Sequence, residues 1–250
     1  MAAAARHLAA PARLVFEHQA TLVLPARAKP YTAAELQTIF PSSWVREGAG
    51  VWLLTNHLLV GEGAELDLSL NQLSQLRLRS DRSGFVVVAS WAGTIKIAGN
   101  ATHQLLITSW DPGRRGPDTT ESDGRSYLVA KGGRMDVADA AFTNLGFGTG
   151  ESSGVAWRGW PGEPTRGSVV GSQFAHNHFG AFTFEAVDML WTRNVFAAND
   201  VYGFDPHDQS NDRIPEIGFN DDLEVLRKVS TDTTSKSSPL PSHRPVRASS

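Results

Sequence analysis

A short polar cluster near the end of the chain carries the residues best suited to proton transfer. It reads YGFDPHD over residues 202–208. Pro206 favours an extended conformation for Asp205, and residues two apart in an extended strand point to the same side. A carboxylate beside an imidazole can orient the ring and raise its pKa, which suits general acid–base chemistry. If Phe204 faces the core, we expect Asp205 and His207 to face solvent.

Tyr202 can join this cluster on one condition. Strict alternation would turn Tyr202 inward together with Phe204. The chain must therefore bend at Gly203, which the conformational freedom of glycine permits. The residue types leave a second use of the cluster open, because Asp205, His207 and Asp208 could instead bind a metal ion through oxygen and imidazole ligands.

Composition excludes several classes of protein. The 250 residues carry 23 Lys and Arg against 26 Asp and Glu, a net charge of −3, which argues against a nucleic-acid binder. The chain has no cysteine, so disulfide frameworks, thiolate-ligated zinc and thiol nucleophiles are excluded. No run of about 18 or more apolar residues predicts a transmembrane helix. The Ala-rich N-terminus is interrupted by Arg13, Glu17 and His18, and it contains no convincing secretory signal.

The elements that must position the cluster are predicted to be short strands. Alternating runs begin near residues 66, 76, 86, 95 and 105, so a strand recurs about every ten residues. The segment TAAELQTIF at 32–40 has helical character instead. Regular short strands of this kind also suit a sandwich or a barrel.

A repeat in the second half favours a solenoid. GSQFAHNHFGAF at 171–182 is similar to TRNVFAANDVYGF at 192–204, with 22 residues between Phe174 and Phe196 and between Asn177 and Asn199. A weaker copy at 138–148 contains Phe142. A 22-residue unit of several short strands is typical of one turn of a solenoid, which buries its inward residues against its neighbours. We therefore predict an all-β, right-handed parallel β-helix in which Phe174 stacks over Phe196.

The same pattern suggests the domain organisation. We predict an N-terminal flank or cap at 1–49, a β-helix of roughly seven coils at 50–212 and a divergent, largely disordered tail at 213–250. Two insertions, at 109–126 and 148–167, interrupt the coils. The second insertion contains Trp157, Arg158 and Trp160, which could stack on a sugar or cap the core.

The heptapeptide at 202–208 resembles the Asp-Pro-His-Asp/Glu motif of mannuronan C5-epimerases, alginate-modifying enzymes of the parallel β-helix class. The resemblance extends upstream through GRMDVADAAFTNLGFG, GVAWRG and SQFAHNHFGAFTFEA. It implies inversion of C5 in mannuronate residues of a polymer, giving guluronate. That reaction needs neutralisation of the sugar carboxylate, a base on one face and a proton donor on the other.

The resemblance also implies roles for the motif residues. His207 and Tyr202 would be the proton-transfer pair, and the motif leaves open which of them takes the proton. Asp205 would protonate, orient or hydrogen-bond near the substrate carboxylate. Asp208 would support the site.

Five further residues are weaker candidates for substrate binding. Glu185 lies one repeat before Asp208 and could sit beside the cluster, or it could be a solvated surface carboxylate. His176 and His178 could line the same groove, although a surface role for them and a turn role for Asn177 are favoured. Arg158 and Arg193 could hold uronate carboxylates.

The expected partner is an anionic polysaccharide, and the expected oligomeric state is a monomer. The family implies an extracellular or periplasmic location. We expect no cofactor, because calcium is associated with part of the family but this chain has no GGxGxDxUx repeat. A polysaccharide lyase acting by β-elimination and a non-catalytic carbohydrate-binding remnant are alternatives. Family members continue for several coils after the motif, whereas this chain leaves the pattern within a few residues of Asp208. We therefore expect a groove that lacks one side.

Overall fold

The computed structural model describes residues 7–16, 19–69, 73–100, 102–207, 210 and 212–220. The elements of the first half are β1 (Ala12–Phe16), β2 (Gln19–Leu24), β3 (Tyr31–Thr32), α1 (Ala33–Ile39), β4 (Trp44–Gly48), β5 (Val51–Leu54), β6 (His57–Val60), β7 (Glu65–Ser69), β8 (Gln75–Asp81), β9 (Gly84–Phe85), β10 (Val87–Trp91), β11 (Thr94–Ala98) and β12 (Leu105–Asp111). Those of the second half are β13 (Gly116–Pro117), β14 (Tyr127–Lys131), β15 (Gly133–Ala138), β16 (Ala140–Thr143), β17 (Val155–Arg158), β18 (Thr165–Val170), β19 (Gln173–Ala175), β20 (Phe179–Phe184), β21 (Met189–Ala197), β22 (Tyr202–Pro206) and β23 (Asp212–Asn220). No helix in this part of the chain is long and apolar enough to cross a membrane.

Most strands belong to three parallel faces. The first face is an eight-stranded sheet of order β1-β2-β6-β10-β14-β17-β20-β22, parallel from β2 onward. The second face has the order β3-β7-β11-β15-β18-β21, and the third has the order β5-β8-β12-β16-β19-β21. Successive turns of the chain add one strand to each face, and the long strand β21 serves both the second and the third. The predicted parallel β-helix is confirmed.

The 22-residue repeats are successive turns, as their spacing predicts. Phe174 lies beside Phe196 in parallel register, and their rings stack with centroids 4.9 Å apart. Phe142, from the weaker copy, stacks on the other side of Phe174 at 5.0 Å. All three rings are fully buried. The stack therefore fills the core through three consecutive turns.

Asn177 and Asn199 hold the corners of these turns. The side chain of Asn199 accepts a hydrogen bond from the Asn177 N–H at 3.1 Å and donates one to the Phe174 carbonyl at 3.0 Å. Asn177 repeats the pattern one turn earlier, with the Leu145 N–H at 2.9 Å and the Phe142 carbonyl at 3.1 Å. Each buried amide thus satisfies backbone groups that the strands leave unpaired. The turn role expected for Asn177 is found.

Parallel strand pairing begins before residue 50. Strands β2 and β3 already pair in parallel with β6 and β7. Helix α1, close to the segment predicted as helical, lies in this first turn and buries Ala33 and Leu36 in the core. Thr32 and Glu35 form a capping box at its start. The sequence of this turn does not show the alternation of a strand, because part of it is a helix with a period of about 3.6 residues.

Parallel strand pairing also continues beyond residue 212. Strand β23 pairs in parallel with β21 and places Phe219 beside Phe196. The register between these strands shifts at two places, so no constant repeat length aligns them. Residues 221–250 of the tail predicted at 213–250 lie outside the described part of the chain.

The second predicted insertion contributes a strand of its own. Strand β17 lies inside 148–167 and pairs with β14 and β20. Trp157 is fully buried, and its indole N–H donates to the Met135 carbonyl at 3.0 Å. Trp160 is only half-buried and lies against Trp91, with ring centroids 5.0 Å apart. Trp157 therefore belongs to the core. Trp160 lies at the surface, where it could stack on a sugar.

Candidate active site

The motif strand β22 is the last described strand of the eight-stranded sheet. Phe204 is 2% exposed and packs in the core against Trp191, with ring centroids 4.5 Å apart. Asp205 is half-buried and His207 is exposed. The backbone N–H of His207 donates to the Thr183 carbonyl at 2.8 Å, which fixes the residue that follows the strand. The imidazole therefore lies outside the core, as alternation from Phe204 predicts.

Tyr202 also lies on the outer surface of this sheet. Its ring meets Phe179 edge to face, with centroids 5.0 Å apart, and both side chains belong to an apolar cluster that is separate from the main core. The backbone therefore breaks alternation at Gly203. Strands β20 and β22 approach closely at this break, since a Cβ added to Gly180 would lie 2.2 Å from the Gly203 carbonyl oxygen. The condition for Tyr202 to join the polar cluster is met.

Asp205 ends a row of small and apolar side chains that crosses the sheet from turn to turn. In parallel register the row contains Ala89, Val129, Ala156, Phe182 and Asp205. Its three middle members are at most 4% exposed. We call this set the aspartate row. It places a carboxyl group at the end of a smooth apolar strip.

His207 ends a second row, two residues further along each strand. The row contains Trp91, Lys131, Arg158, Phe184 and His207. The His207 ring lies 5.9 Å from both Phe182 and Phe184. Cations and aromatic rings also meet along the row, because Arg158 Cζ is 5.2 Å from the Phe184 ring centroid and Lys131 Nζ is 5.2 Å from that of Trp91. We call this set the histidine row.

Aromatic side chains flank the aspartate row on the side of Tyr202. Tyr127 lies 6.3 Å from Phe147 and 6.0 Å from Phe85 between ring centroids. Burial, and secondarily the Glu151 carboxylate, raises the pKa of Tyr127. The outer face of the sheet thus has an apolar centre with aromatic rings on one side and cations on the other. Such a surface suits a ligand with flat apolar faces and anionic edges.

A half-buried carboxylate lies close to the strand that pairs with the motif strand. Asp212 accepts hydrogen bonds from the Trp191 indole N–H at 2.9 Å and from the Thr183 hydroxyl at 3.0 Å. Burial raises the pKa of Asp212 to about 6, against the opposing effect of both hydrogen bonds. Thr183 therefore links two groups, because its carbonyl holds the His207 backbone and its hydroxyl holds Asp212.

The structure brings one of the two candidate arginines to the outer face. Arg158 is a member of the histidine row, two turns before His207. Arg193 is exposed in the middle of β21, with a φ of 54°, where that strand passes from the second face to the third. It is therefore not brought together with the motif residues.

Glu185 lies where the repeat predicts. It follows Phe184, whose ring lies beside that of His207, so Glu185 is one turn before position 208. Its backbone has a φ of 49°, and its carbonyl accepts from the Thr165 N–H at 3.3 Å. Asp208 itself lies outside the described residues, and so does the three-ligand metal site that would include it.

The two histidines of the preceding turn occupy different surroundings. His176 is exposed in a left-handed turn, with a φ of 57°. His178 is half-buried and stacks on Phe179, with ring centroids 5.2 Å apart. Since Phe179 in turn contacts Tyr202, His178 borders the candidate site and His176 does not.

Arg125 organises a cluster around His178 that the sequence did not predict. Its guanidinium, 3% exposed, pairs with Glu121 and Asp200 and donates to the Gly146 carbonyl at 2.7 Å. Burial and the neighbouring Asp200 raise the pKa of Glu121. One ligand atom each from Glu121, His178 and Asp200 lie within 4.8 Å of one another, a spacing that could hold a metal ion. The guanidinium already pairs with both carboxylates, so we interpret the cluster as an ion-pair network that joins the first insertion to the coils.

The chain is similar in sequence to curated proteins of one kind. It is 26% identical over 190 residues to the mannuronan C5-epimerase of Pseudomonas aeruginosa, covering 71% of this chain and 33% of that protein. It is 28% identical over 190 residues to the mannuronan C5-epimerase of Pseudomonas putida, covering 71% of this chain and 35% of that protein. The chain thus spans about a third of the length of the curated relatives it matches. No family model matches it.

Solved structures share the fold. The crystal structure of the periplasmic alginate epimerase AlgG superposes with a TM-score of 0.65 at 20% identity, covering 80% of this chain and 46% of that one. A double mutant of the same epimerase gives a TM-score of 0.68, covering 80% and 47%. The sequence relatives confirm the resemblance that the motif predicts, and the solved structures confirm the architecture.

Proposed function

We propose that this chain carries the proton-transfer residues of a mannuronan C5-epimerase acting on alginate. The observation that supports this most directly is the common exposure of Tyr202, Asp205 and His207 on one outer face. That arrangement depends on the break in alternation at Gly203, because a regular strand would bury Tyr202. The similarity to curated epimerases over 71% of the chain supports the same conclusion.

The reaction sets the chemical requirements. The C5 proton of a uronate is next to a carboxylate and is only weakly acidic. Breaking the C5–H bond moves charge onto the carboxylate oxygens, so a group that hydrogen-bonds or protonates that carboxylate lowers the barrier. A second group must then return a proton to C5 from the opposite face of the sugar.

The order of residues along β22 matches these requirements. Asp205 lies between Tyr202, which begins β22, and His207, which follows the strand. A sugar whose carboxylate rests over Asp205 therefore has the phenol on one side and the imidazole on the other. Tyr202 and His207 would exchange protons with C5, and Asp205 would protonate, orient or hydrogen-bond near the sugar carboxylate. Asp208, which follows them, would support the site.

The test measures exchange at C5. The chain is incubated with polymannuronate in deuterium oxide, and NMR follows deuterium at C5 and the appearance of guluronate. We expect His207→Gln and Tyr202→Phe each to lower the rate by about 10²–10⁴-fold, because each removes one proton-transfer group. His103→Gln, at an exposed histidine in a turn before β12, serves as the matched control and should retain the rate.

Two results would overturn the proposal. Deuterium incorporation that persists unchanged in His207→Gln would remove the imidazole from the chemistry. Rising ultraviolet absorbance from an unsaturated uronate, without guluronate, would instead assign β-elimination to the same face.

A further inference from the structure

A cavity of about 620 Å³ opens beside the histidine row. It lies where strands β10, β14, β17 and β20 end, and its lining includes Trp91, Lys131, Glu151, Arg158, Trp160 and Phe184. The full lining has three aromatic side chains, two cations and three carboxylates, since Glu62 and Glu163 line the cavity together with Glu151. A sugar acid needs both kinds of contact, because its ring faces stack on aromatic side chains and its carboxylate pairs with Lys or Arg.

The two cations of this cavity share one protein carboxylate. Oε1 of Glu151 lies 2.6 Å from Lys131 Nζ and 3.4 Å from Arg158 Nε. Glu151 sits in a single turn of 3-10 helix, Gly150–Ser152, between β16 and β17. Its side chain is 38% exposed, so the pairing takes place at the mouth of the cavity. The protein thus supplies a carboxylate at the point where a bound uronate would place its own.

The spacing along the histidine row fits a polymer. Arg158 is two strands from His207 along the sheet, through β20 to β22. Neighbouring strands are about 4.8 Å apart, so two steps span about 10 Å. That distance is close to the length of two 1,4-linked hexuronate residues. In a flat 1,4-linked ribbon, alternate residues turn their carboxylates to the same side.

We infer that Lys131 and Arg158 form a second carboxylate-binding subsite, for the uronate two residues from the one at His207, and that Glu151 occupies this subsite when no polymer is bound. The inference rests on the proposed function for the identity of the polymer. Substrate binding would exchange one carboxylate for another at the two cations. The Glu151 carboxylate would therefore compete with the polymer for Lys131 and Arg158.

The experiment measures binding of saturated oligomannuronates by calorimetry at low and moderate salt. Glu151→Gln keeps the shape of the side chain but frees both cations, so we expect binding to tighten by about three- to ten-fold, with the larger gain at low salt. Arg158→Gln should weaken binding by about ten-fold or more. Glu163→Gln is the matched control, because Glu163 lines the same cavity while the ion pairs of Lys131 and Arg158 go to Glu151.

The outcomes separate the inference from the proposed function. Equal affinities for Glu151→Gln, Glu163→Gln and the wild type would overturn the subsite even if C5 exchange is normal. A gain in affinity for Glu151→Gln would support it even if the wild type shows no exchange. A neutral oligomannose should show no gain, and if it shows the same gain as the uronate, the carboxylate assignment is wrong. Matching circular dichroism spectra and melting temperatures confirm that each variant is folded.

Discussion

The indole N–H of Trp191 donates a 2.9 Å hydrogen bond to the carboxylate of Asp212. Trp191 is fully buried, so this carboxylate reaches the core of the last described turns. A second hydrogen bond comes from the hydroxyl of Thr183, whose carbonyl holds the backbone of His207. Stability of the turn that carries the motif is therefore tied to the ionisation of one acid.

The first prediction concerns pH. Asp212 has a pKa of about 6 in the folded chain, raised by burial from an ordinary 3.8. The folded state thus holds its proton more tightly than the unfolded state. The stabilisation of the folded state by this tighter proton binding is complete below pH about 4. It is lost as the pH rises to about 6, which lowers the free energy of unfolding by roughly 3 kcal/mol in total. Asp212→Asn should remove this dependence and should be more stable than the wild type at pH 7.5.

Urea unfolding between pH 4 and pH 8 measures this effect. Asp188→Asn, at a carboxylate whose side chain is 77% exposed, should leave the pH dependence of the wild type unchanged. An Asp212→Asn variant that is less stable than the wild type at pH 7.5 would contradict the prediction.

The second prediction concerns Arg125. Replacing this buried guanidinium with alanine leaves Glu121 and Asp200 without their shared partner and removes a hydrogen bond from three backbone carbonyls, of which that of Leu145 keeps the His178 N–H as a donor. We expect a loss of about 3–5 kcal/mol in the free energy of unfolding. Arg134→Ala, which removes a half-exposed pair with Asp136, should cost less than about 1 kcal/mol in the same denaturation experiment. Similar losses for both arginines would show that the Arg125 network stabilises the fold no more than an exposed ion pair does.

The third prediction concerns the phenylalanine stack. Phe174→Ala removes the middle ring between Phe142 and Phe196, and its neighbours are held by strand pairing on both sides. A cavity should therefore remain, at a cost of about 3–5 kcal/mol. Phe174→Leu should cost less because it refills part of the volume. Val15→Ala, at a side chain that is 62% exposed, is the control and should change stability by less than about 0.5 kcal/mol. A loss below about 1 kcal/mol for Phe174→Ala would show that the stack is not an essential part of the core.

The fourth prediction concerns the close approach that turns Tyr202 outward. A Cβ at position 180 would lie 2.2 Å from the Gly203 carbonyl oxygen and 2.7 Å from the Phe196 ring. Gly180→Ala should therefore displace β22, lower stability by about 1–3 kcal/mol and reduce C5 exchange. Gly116→Ala, where the nearest atom would be 3.9 Å away, should leave both quantities near the wild type. Full exchange activity in a folded Gly180→Ala variant would mean that the chemistry does not depend on this approach.

The sequence predicted the turns that share a constant repeat. Phe174 and Phe196, and Asn177 and Asn199, are 22 residues apart, and each pair does lie on successive turns. Identical side chains at a fixed spacing report stacking directly, because each fills the same position against its neighbour. The strand around Asp205 and His207 followed from proline chemistry and alternation.

Other features were hidden because the turns differ in length. Lys131 and Arg158 are 27 residues apart, whereas Phe184 and His207 are 23 apart, so no single period shows that all four belong to one row. The Arg125 network was missed for a related reason. Asp200 is 75 residues from Arg125, and only the stacking of turns brings them together.

The corner amides have a consequence for how such a chain can grow. Asn177 and Asn199 each bond to the backbone of the turn before, so these two successive turns present the same amide acceptor, amide donor and stacked ring. A duplicated 22-residue segment inserted here could form the same hydrogen bonds and ring stacking with the turns on both sides. Gene duplication can therefore lengthen this surface by one sugar-sized step at a time without inventing a new connection.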